Sequence, residues 1–354
     1  MKIAKKIFSH HLFFPLICLF LVLILNLIST PTFFEITIQN GVFYGYIIDI
    51  INRSSELVVL AAGMTLVVAS SGGTDISVGA VSAIAGACCI FALGWDIDTY
   101  NVPYFVGFFI AMAAGAICGA WNGFLVAKLR IQPMVATLIL FTAGRGIAQL
   151  ITSGQNRYVR VDSFRWLGNF LPGSPVPTPV IAAAIVILLT SLVLRYTALG
   201  TYIQSVGINR QSSRIVGLQS TKIIFFCYMF CGLCSGIAGM IMTSRIYSID
   251  ANNVGNLVEL DAILAVALGG NSLGGGKFRI SGSVIGAVTI QALSTSLYAM
   301  KITADQLPIY KAIMVIIIVA LQSPEFKSFI ASIRKNKFPP AEIQPKINKE
   351  EPAL

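Results

Sequence analysis

Polar side chains interrupt several long apolar runs, and they are the residues with the clearest capacity for chemistry. The stretch Ser70-Ser-Gly-Gly-Thr-Asp-Ile-Ser-Val-Gly-Ala80 separates two apolar runs and places Asp75 between them. Asp75 suits the N-cap of a helix beginning near Ile76, where its carboxylate would accept backbone N–H bonds. A capped turn between helices and direct contact with a substrate are both compatible with this pattern. The helix-break residues predicted here are Gly72, Gly73, Asp75, Ser77 and Gly79.

A similar punctuation recurs in ALGGNSLGGGKFRISGSVIGAV, residues 267–288, where paired glycines again join two apolar spans. Broken helices in corresponding halves of a transporter indicate a transport pathway, so Gly269, Gly270 and Asn271 join the predicted helix-break residues. The GGGK segment does not form a P-loop, because Asn271 stands at the position of the first required glycine and Phe278 at that of the Ser or Thr. We therefore expect no nucleotide or other cofactor on this chain.

Several polar residues lie within apolar segments, where they are candidates for contact with a polar solute. Hydrogen bonding between neighbouring helices, at about 0.6–2 kcal/mol, is the alternative role for each. Arg145 stands apart, because a charge within a membrane is costly and usually functional. The predicted pathway residues are Trp121, Asn122, Arg145, Gln149 and Gln291.

Catalysis and metal binding have little to work with in this sequence. The only histidines are His10 and His11, at the basic amino-terminal head. The seven cysteines all lie in apolar segments, where cysteine behaves as a small hydrophobe. The spacing of Cys227, Cys231 and Cys234 would place three sulfurs on one helix face, but no histidine or carboxylate accompanies them. We predict no catalytic residue and no metal site.

Composition predicts an all-α polytopic membrane protein. Of 354 residues, 56% are hydrophobic and 11% charged, against about 25% charged in soluble domains. Ten apolar segments predict about ten transmembrane helices, some broken or short, within a membrane domain of residues 1–323. Residues 1–29 are interpreted as the first of these helices, with a cleaved signal as the alternative. The ten segments lie near residues 12–29, 57–71, 76–94, 103–127, 133–152, 178–196, 222–243, 260–272, 280–300 and 308–323.

Most of the 25 Lys and Arg residues fall in alternate loops, which predicts that both termini are cytoplasmic. The net charge of +10 then reflects orientation and contact with anionic membrane lipid, and requires no nucleic acid. The charged, Pro-bearing tail, residues 324–354, is predicted to be disordered in the cytoplasm.

The inner loop near residues 197–221 is divided by Gly200, Gly207 and Gly217. Asn209 is predicted to cap a short helix through about Val216, with two arginines four residues apart on one face. Those charges fit the positive-inside bias alone, whereas a capped helix within a loop also suits docking to a cytoplasmic partner.

Four stretches carry a family resemblance: GMTLVVASSGGTDISVGAV, WNGFLVAKLRIQPMVATLILFTAGRGIAQLITSGQ, SVGINRQSSRIVGL and LVELDAILAVALGGNSLGGGKF. Together they resemble the permease subunits of bacterial ABC sugar importers, nearest to the ribose and galactofuranose types. These permeases belong to the superfamily that also holds branched-chain amino-acid permeases. The resemblance is colinear over roughly residues 45–322.

The resemblance implies a permease that carries a monosaccharide such as ribose, galactose or galactofuranose across the bacterial inner membrane. It also implies an extracytoplasmic sugar-binding protein, a second permease copy or related permease, and cytoplasmic ATPase subunits that hold ATP and Mg. The segment 208–217 matches the family's coupling helix. An ion-coupled secondary transporter is the alternative, but most carboxylates here lie near predicted span ends. The residues assigned to coupling are Gly207, Asn209, Arg210, Ser213, Arg214 and Gly217.

Overall fold

A computed structural model describes residues 12–39, 42–95, 100–303 and 305–322. Both chain ends and the predicted tail lie outside the described residues. The chain divides into a unit of Met1–Lys311 and a second unit of Ala312–Leu354, and α12 crosses from the first into the second. The helices are α1 Phe13–Ser29, α2 Tyr46–Ser71, α3 Val78–Leu93, α4 Tyr104–Ala127, α5 Pro133–Thr152, α6 Thr178–Tyr196, α7 Leu199–Ile208, α8 Arg210–Ile215, α9 Ser220–Arg245, α10 Val258–Leu268, α11 Ile280–Ala299 and α12 Leu307–Gln322.

Strands are few and short in the described part of the chain. Strands β1 (Thr37–Gln39) and β2 (Val42–Tyr44) pair antiparallel. Strands β3 (Arg157–Tyr158) and β4 (Ser248–Ile249) do the same and join the segment after α5 to the segment after α9. The molecule is therefore mostly helical, as composition predicts.

In the part of the chain that the structure describes, six helices are long and apolar enough to cross a membrane, namely α2, α4, α5, α6, α9 and α11. Each of the ten predicted apolar segments overlaps a helix, but α1, α3, α10 and α12 have only 11–17 residues. At 1.5 Å per residue, an 11-residue helix covers about 16 Å of a hydrocarbon core of about 30 Å. The count of about ten spans stays a prediction.

Helix α2 forms the centre of the unit and is 89% buried over its most apolar window. It packs against α6, α9, α10 and α11. The most extensive helix contact among the described residues is between α4 and α9, where Gly115 and Gly119 face Gly232. A Cβ on any of these glycines would collide with backbone across the interface, so small residues allow the two helices to touch directly.

The cysteines of α9 serve the same purpose. Cys231 and Cys234 are fully buried, and a Cβ at Gly63 of α2 would lie 3.2 Å from the Cys231 sulfur and from the Cys234 Cβ. Small side chains on both helices thus hold α2 against α9. This packing explains their position without a metal.

Candidate functional site

The predicted first break is a real interruption between α2 and α3. Gly72 ends α2 in the left-handed conformation with φ of 65°, and its N–H donates to the Val68 carbonyl at 3.0 Å. Asp75 is 2% exposed, and its Oδ1 accepts the Ser77 backbone N–H at 2.9 Å and the Ser77 hydroxyl at 2.7 Å. Because α3 begins only at Val78, with Ser77 as its N-cap residue, the prediction that Asp75 is the N-cap is wrong. Asp75 instead closes the turn just before the helix.

Neighbouring helices hold this turn from two sides. The Asn122 side-chain amide of α4 donates to the Ser77 hydroxyl at 2.8 Å. On α5, the Thr137 hydroxyl accepts the Ile76 N–H at 3.2 Å, and a Cβ at Gly73 would collide with the Pro133 ring. The break is therefore built into the fold between α4 and α5.

Two predicted pathway residues, adjacent in sequence, point in different directions. Asn122 is fully buried beside the break, and its Oδ1 has no hydrogen-bond partner among the described residues. Trp121 is 51% exposed and stacks on Phe124 with 6.4 Å between ring centroids. Only Asn122 belongs to the break.

The first turn of α3 meets the entry to α10, although the two are about 180 residues apart in sequence. A Cβ at Gly79 would collide with the Gly255 carbonyl oxygen and with Glu259 Oε2. Gly255 has φ of 66°, and its own Cβ would lie 2.6 Å from the Gly79 carbonyl oxygen. We call this contact the half-helix junction, since it joins the N-terminal ends of two short helices, α3 and α10.

Glu259 is the charged group of the half-helix junction. It lies in the first turn of α10 and is 2% exposed. Its Oε2 is buried without a hydrogen-bond partner in the described structure. A carboxylate is favoured at helix N-termini by the helix dipole, and two such termini meet here.

Arg145 of α5 fixes the segment that leads into the half-helix junction. Its Nη1 donates to the Ala251 carbonyl at 3.1 Å and to the Val254 carbonyl at 2.5 Å. One turn along α5, the Gln149 amide donates to the Asn252 side chain. Two predicted pathway residues thus act together on residues 250–257.

Gln291, the last of the predicted pathway residues, and the ion-paired Asp261 are separate from this group. Gln291 of α11 donates to Thr295 on its own helix at 3.3 Å. Asp261 of α10 forms an ion pair with Lys311 at 2.8 Å. The second terminal nitrogen of Arg145, Nη2, is buried and has no hydrogen-bond partner among the described residues.

The junction gives a direct test by substitution. We expect Gly79→Ala to lower the free energy of unfolding by about 1–3 kcal/mol, as overpacking of a close contact does, because the new methyl meets a carbonyl and a carboxylate. Gly146→Ala on α5 is the matched control, since nothing lies within 4 Å of its Cβ position. Thermal denaturation of the two purified variants measures the difference. Equal apparent Tm values would contradict the close contact.

The second predicted break is closed by Asn271. Its side-chain amide donates to the Ser283 hydroxyl at 2.8 Å, and its Oδ1 accepts the Arg279 N–H at 2.7 Å. Gly270 before it has φ of 79°, and a Cβ at Gly269 would collide with Gly282 of α11. These bonds make Asn271 a structural closure of the turn between α10 and α11.

The two glycine-rich turns contact each other. The Gly276 N–H donates to the Ala69 carbonyl at 3.0 Å, and a Cβ at Gly275 would lie 3.0 Å from the Gly72 Cα. Gly207 of α7 completes the contact, because a Cβ there would collide with the Ala69 carbonyl oxygen. We call this meeting of three backbone segments the glycine interlock.

The loop of residues 197–221 contains the capped helix that the sequence predicts. Asn209 Oδ1 accepts the Gln211 N–H at 3.0 Å and the Ser212 N–H at 2.9 Å, so Asn209 caps α8. Gly217 follows α8 with φ of 86°. The prediction that Gly200 and Gly207 divide the loop is wrong, because both lie within α7. The sequence signal for α7 is the apolar pair Ile203 and Val206, which are three residues apart and both buried on one face of the helix.

The arginines of α8 face different neighbours. The Arg210 guanidinium donates from Nη2 to the Ala127 carbonyl at the end of α4, at 2.6 Å. Arg214 is exposed and donates to the Thr221 hydroxyl at 3.1 Å. Ser213 between them is buried, at 4% exposure. The helix is thus anchored by one arginine, while the second lies at the surface.

Apolar residues around α8 are exposed, and the sequence prediction missed them. Ile208, Ile215 and Val216 are 68%, 86% and 75% exposed. The sequence signal that could have identified these three residues is their apolar character beside the polar residues of α8. An exposed apolar patch marks an interaction surface, and we call these three residues the α8 patch.

Comparisons with known proteins agree over nearly the whole chain. The family model described as "Branched-chain amino acid transport system / permease component" matches residues 46–321. The galactofuranose transporter permease protein YtfT of Escherichia coli is 42% identical over 321 residues, 90% of this chain and 92% of that protein. The fructose import permease protein FruF of Bifidobacterium longum is 34% identical over 341 residues, 94% of each chain. The ribose import permease protein RbsC of Escherichia coli is 35% identical over 309 residues, 86% of this chain and 91% of that protein. No solved structure matches this chain.

Proposed function

This chain belongs to the family of branched-chain amino acid transport system permease components, and from that premise we propose that it is the permease subunit of an ABC importer for a monosaccharide. The observation that carries the proposal is similarity over at least 86% of the chain to permeases named for galactofuranose, fructose and ribose. The protein would lie in the bacterial inner membrane, where its six long apolar helices fit. A ribose-, galactose- or galactofuranose-like sugar is the proposed substrate class.

We propose that α1, α3, α10 and α12 cross the membrane together with the six long helices, which gives ten spans with both termini in the cytoplasm. The charge distribution supports this orientation. The connections 128–132, 197–221 and 269–279 hold Lys and Arg but no Asp or Glu, as expected for cytoplasmic loops. The glycine interlock and α8 lie among these connections.

One face of α5 supports a pathway shared with a second permease. Thr142 is exposed, and Arg145 and Gln149 are half-buried on the same face, at spacings of three and four residues. Polar groups in a membrane almost always face the protein interior or a water-filled cavity. A second copy, or a related permease, placed against this face would enclose a polar path beside residues 250–257.

Helix α6 has the opposite character and supports contact with lipid. Its exposed side chains include Ile181, Ile185 and Leu188, at 45%, 51% and 58% exposure. Its Thr190 hydroxyl is satisfied by the Val186 carbonyl of the same helix, at 2.7 Å. Helix α5 differs in carrying Arg145 and Gln149 on a partly exposed face, and this difference supports a pathway at α5 and lipid at α6.

The chain would supply the path and the mechanical link, while partner ATPase subunits would hold ATP and Mg. The α8 patch offers an apolar surface to such a subunit. Movement of α8 would reach Gly207 through the end of α7 and then both glycine-rich turns through the interlock. An extracytoplasmic binding protein would deliver the sugar on the opposite side.

Uptake by reconstituted protein tests the proposal and separates it from an ion-coupled secondary transporter. Proteoliposomes would contain the permease alone, or with its ATPase subunits and binding protein. They would be offered labelled galactose, ribose or fructose. We expect uptake only when the ATPase subunits, the binding protein and ATP are all present. Uptake by the permease alone, driven by a proton or sodium gradient, would overturn the ABC assignment.

A further inference from the structure

A cavity of about 220 Å³ opens next to the glycine interlock, on the proposed cytoplasmic, or inner, side. Its walls come from the end of α2, the connection between α4 and α5, and the α7–α8 corner. Its volume is several times the roughly 30 Å³ that a water molecule occupies in the liquid, so it holds more than one water. Its polar and glycine lining consists of Ser70, Ser71, Arg130, Gln132, Gly207 and Arg210.

The cavity holds positive charge that the described chain does not neutralise. Arg130 and Arg210 both line it, and Arg210 Nε is buried with no hydrogen-bond partner among the described residues. Burial, followed by the nearby charges of Arg214 and Arg130, lowers the pKa of Arg210 below its usual value. The connections 128–132, 197–221 and 269–279 contain no carboxylate to offset these charges.

We propose that this cavity binds the phosphate group of a small molecule, either inorganic phosphate or a sugar phosphate. Arginine guanidinium groups match phosphate oxygens in geometry and charge. The unpartnered Arg210 Nε supplies a buried donor, and Arg130 supplies a second guanidinium from a different segment. Ser70 and Ser71 line the same wall, and their hydroxyls donate to the Val67 carbonyl. The ligand is a small phosphate compound because the cavity is recessed between segments, whereas the α8 patch is the exposed surface.

A bound phosphate would bridge the α4–α5 connection and α8, and so resist movement of the coupling helix. The binding itself is independent of the transported solute, but this consequence rests on the proposed function. A sugar phosphate is the product of phosphoryl transfer to an imported sugar. Its binding on the inner side would therefore slow further import.

Direct binding to the purified full-length permease tests the proposal. Isothermal titration at constant ionic strength would use inorganic phosphate, a sugar phosphate, the free sugar and chloride as separate probes. We expect the phosphate compounds to bind, and Arg130→Gln to weaken that binding about 10-fold or more. Arg279→Gln is the matched control, because Arg279 is a cation of the connection 269–279 that does not line the cavity. Comparing the two phosphate probes identifies which source is preferred.

Two further readings keep the test decisive. Arg130→Lys keeps the charge and should retain part of the affinity, even where Arg130→Gln proves unstable. Phosphate binding should strengthen between roughly pH 5 and pH 7.5, because the second pKa of a phosphate monoester is about 6 and the dianion binds best. Arg130 and Arg210 are the charged residues that line the cavity.

Three outcomes would overturn the proposal: equal weakening by Arg279→Gln, equal binding of chloride, or loss of phosphate binding once the ATPase subunits are bound. The last outcome would indicate that a carboxylate of the ATPase subunit, rather than a phosphate, occupies the cavity in the assembled transporter. These outcomes are distinct from failure of the import proposal, because phosphate binding is measured on the purified permease and does not require transport.

Discussion

We expect the Ile215→Asp variant to lose sugar uptake while it inserts and folds normally. Ile215 is 86% exposed, so the substitution removes no packing from the chain itself. If the α8 patch docks an ATPase subunit, a carboxylate there would be buried without a partner at the interface. Substitution of a hot-spot residue at the centre of an interface costs about 2 kcal/mol or more, which corresponds to at least about 30-fold weaker ATPase binding. Co-purification of tagged permease with the ATPase, together with uptake in cells, measures the effect.

The matched control is Ile36→Asp, the same substitution at an isoleucine that is 52% exposed and precedes β1. It should leave ATPase binding unchanged, because the segment between α1 and α2 is predicted to lie outside. Normal ATPase binding by Ile215→Asp would show that the α8 patch is not the docking surface. Loss of both variants from the membrane would instead indicate a general intolerance of charge.

The close backbone packing of the glycine interlock would link the position of α8 to transport. Gly207, Gly276 and Ala69 meet through backbone atoms, and close-packed interiors transmit displacement rather than absorb it. A shift of α7 with α8 must therefore move the end of α2 or the turn before α11. Both turns end helices that pack in the centre of the unit.

Local features of this protein could be predicted from sequence because they depend on neighbouring residues. The Asn209 cap of α8 is one such feature, since a side-chain oxygen and two backbone N–H groups within three residues define it. The left-handed Gly72 at the end of α2 is another. The error over Asp75 is also local: a carboxylate can bond the N–H two residues ahead in a turn as readily as it caps a helix.

The half-helix junction could not be predicted, because its contacts join distant parts of the sequence. The sequence predicts Gly79 as a helix-break residue, but nothing in it indicates that Gly79 and Gly255 are in contact. The sequence instead suggested a correspondence between residues 70–80 and 267–288. The structure places those turns in contact at the glycine interlock and pairs the start of α3 with the start of α10. Chain topology, not residue type, decides which breaks meet.

Arg145→Gln is expected to reduce uptake at least 10-fold while ATPase binding stays intact. The guanidinium holds two carbonyl groups, at Ala251 and Val254, in the segment that leads into α10. A hydrogen bond to a charged group contributes about 1.5–3 kcal/mol, and a glutamine side chain, being shorter and uncharged, replaces neither bond well. The N-terminal end of α10 would then no longer be fixed against α3, beside the proposed pathway face of α5.

Arg53→Gln is the matched control, because Arg53 is an exposed arginine near the start of α2, and we expect it to transport normally. Arg145→Lys separates charge from geometry: an ammonium keeps the charge but lacks the planar fork, so partial recovery of uptake is expected. Hydrogen exchange at residues 250–257 should rise in Arg145→Gln and less in Arg145→Lys. Full uptake with unchanged exchange in Arg145→Gln would show that Arg145 does not hold this segment. Raised exchange with full uptake would show that α10 transmits no constraint to the pathway, since the position of its first turn would then have no effect on transport.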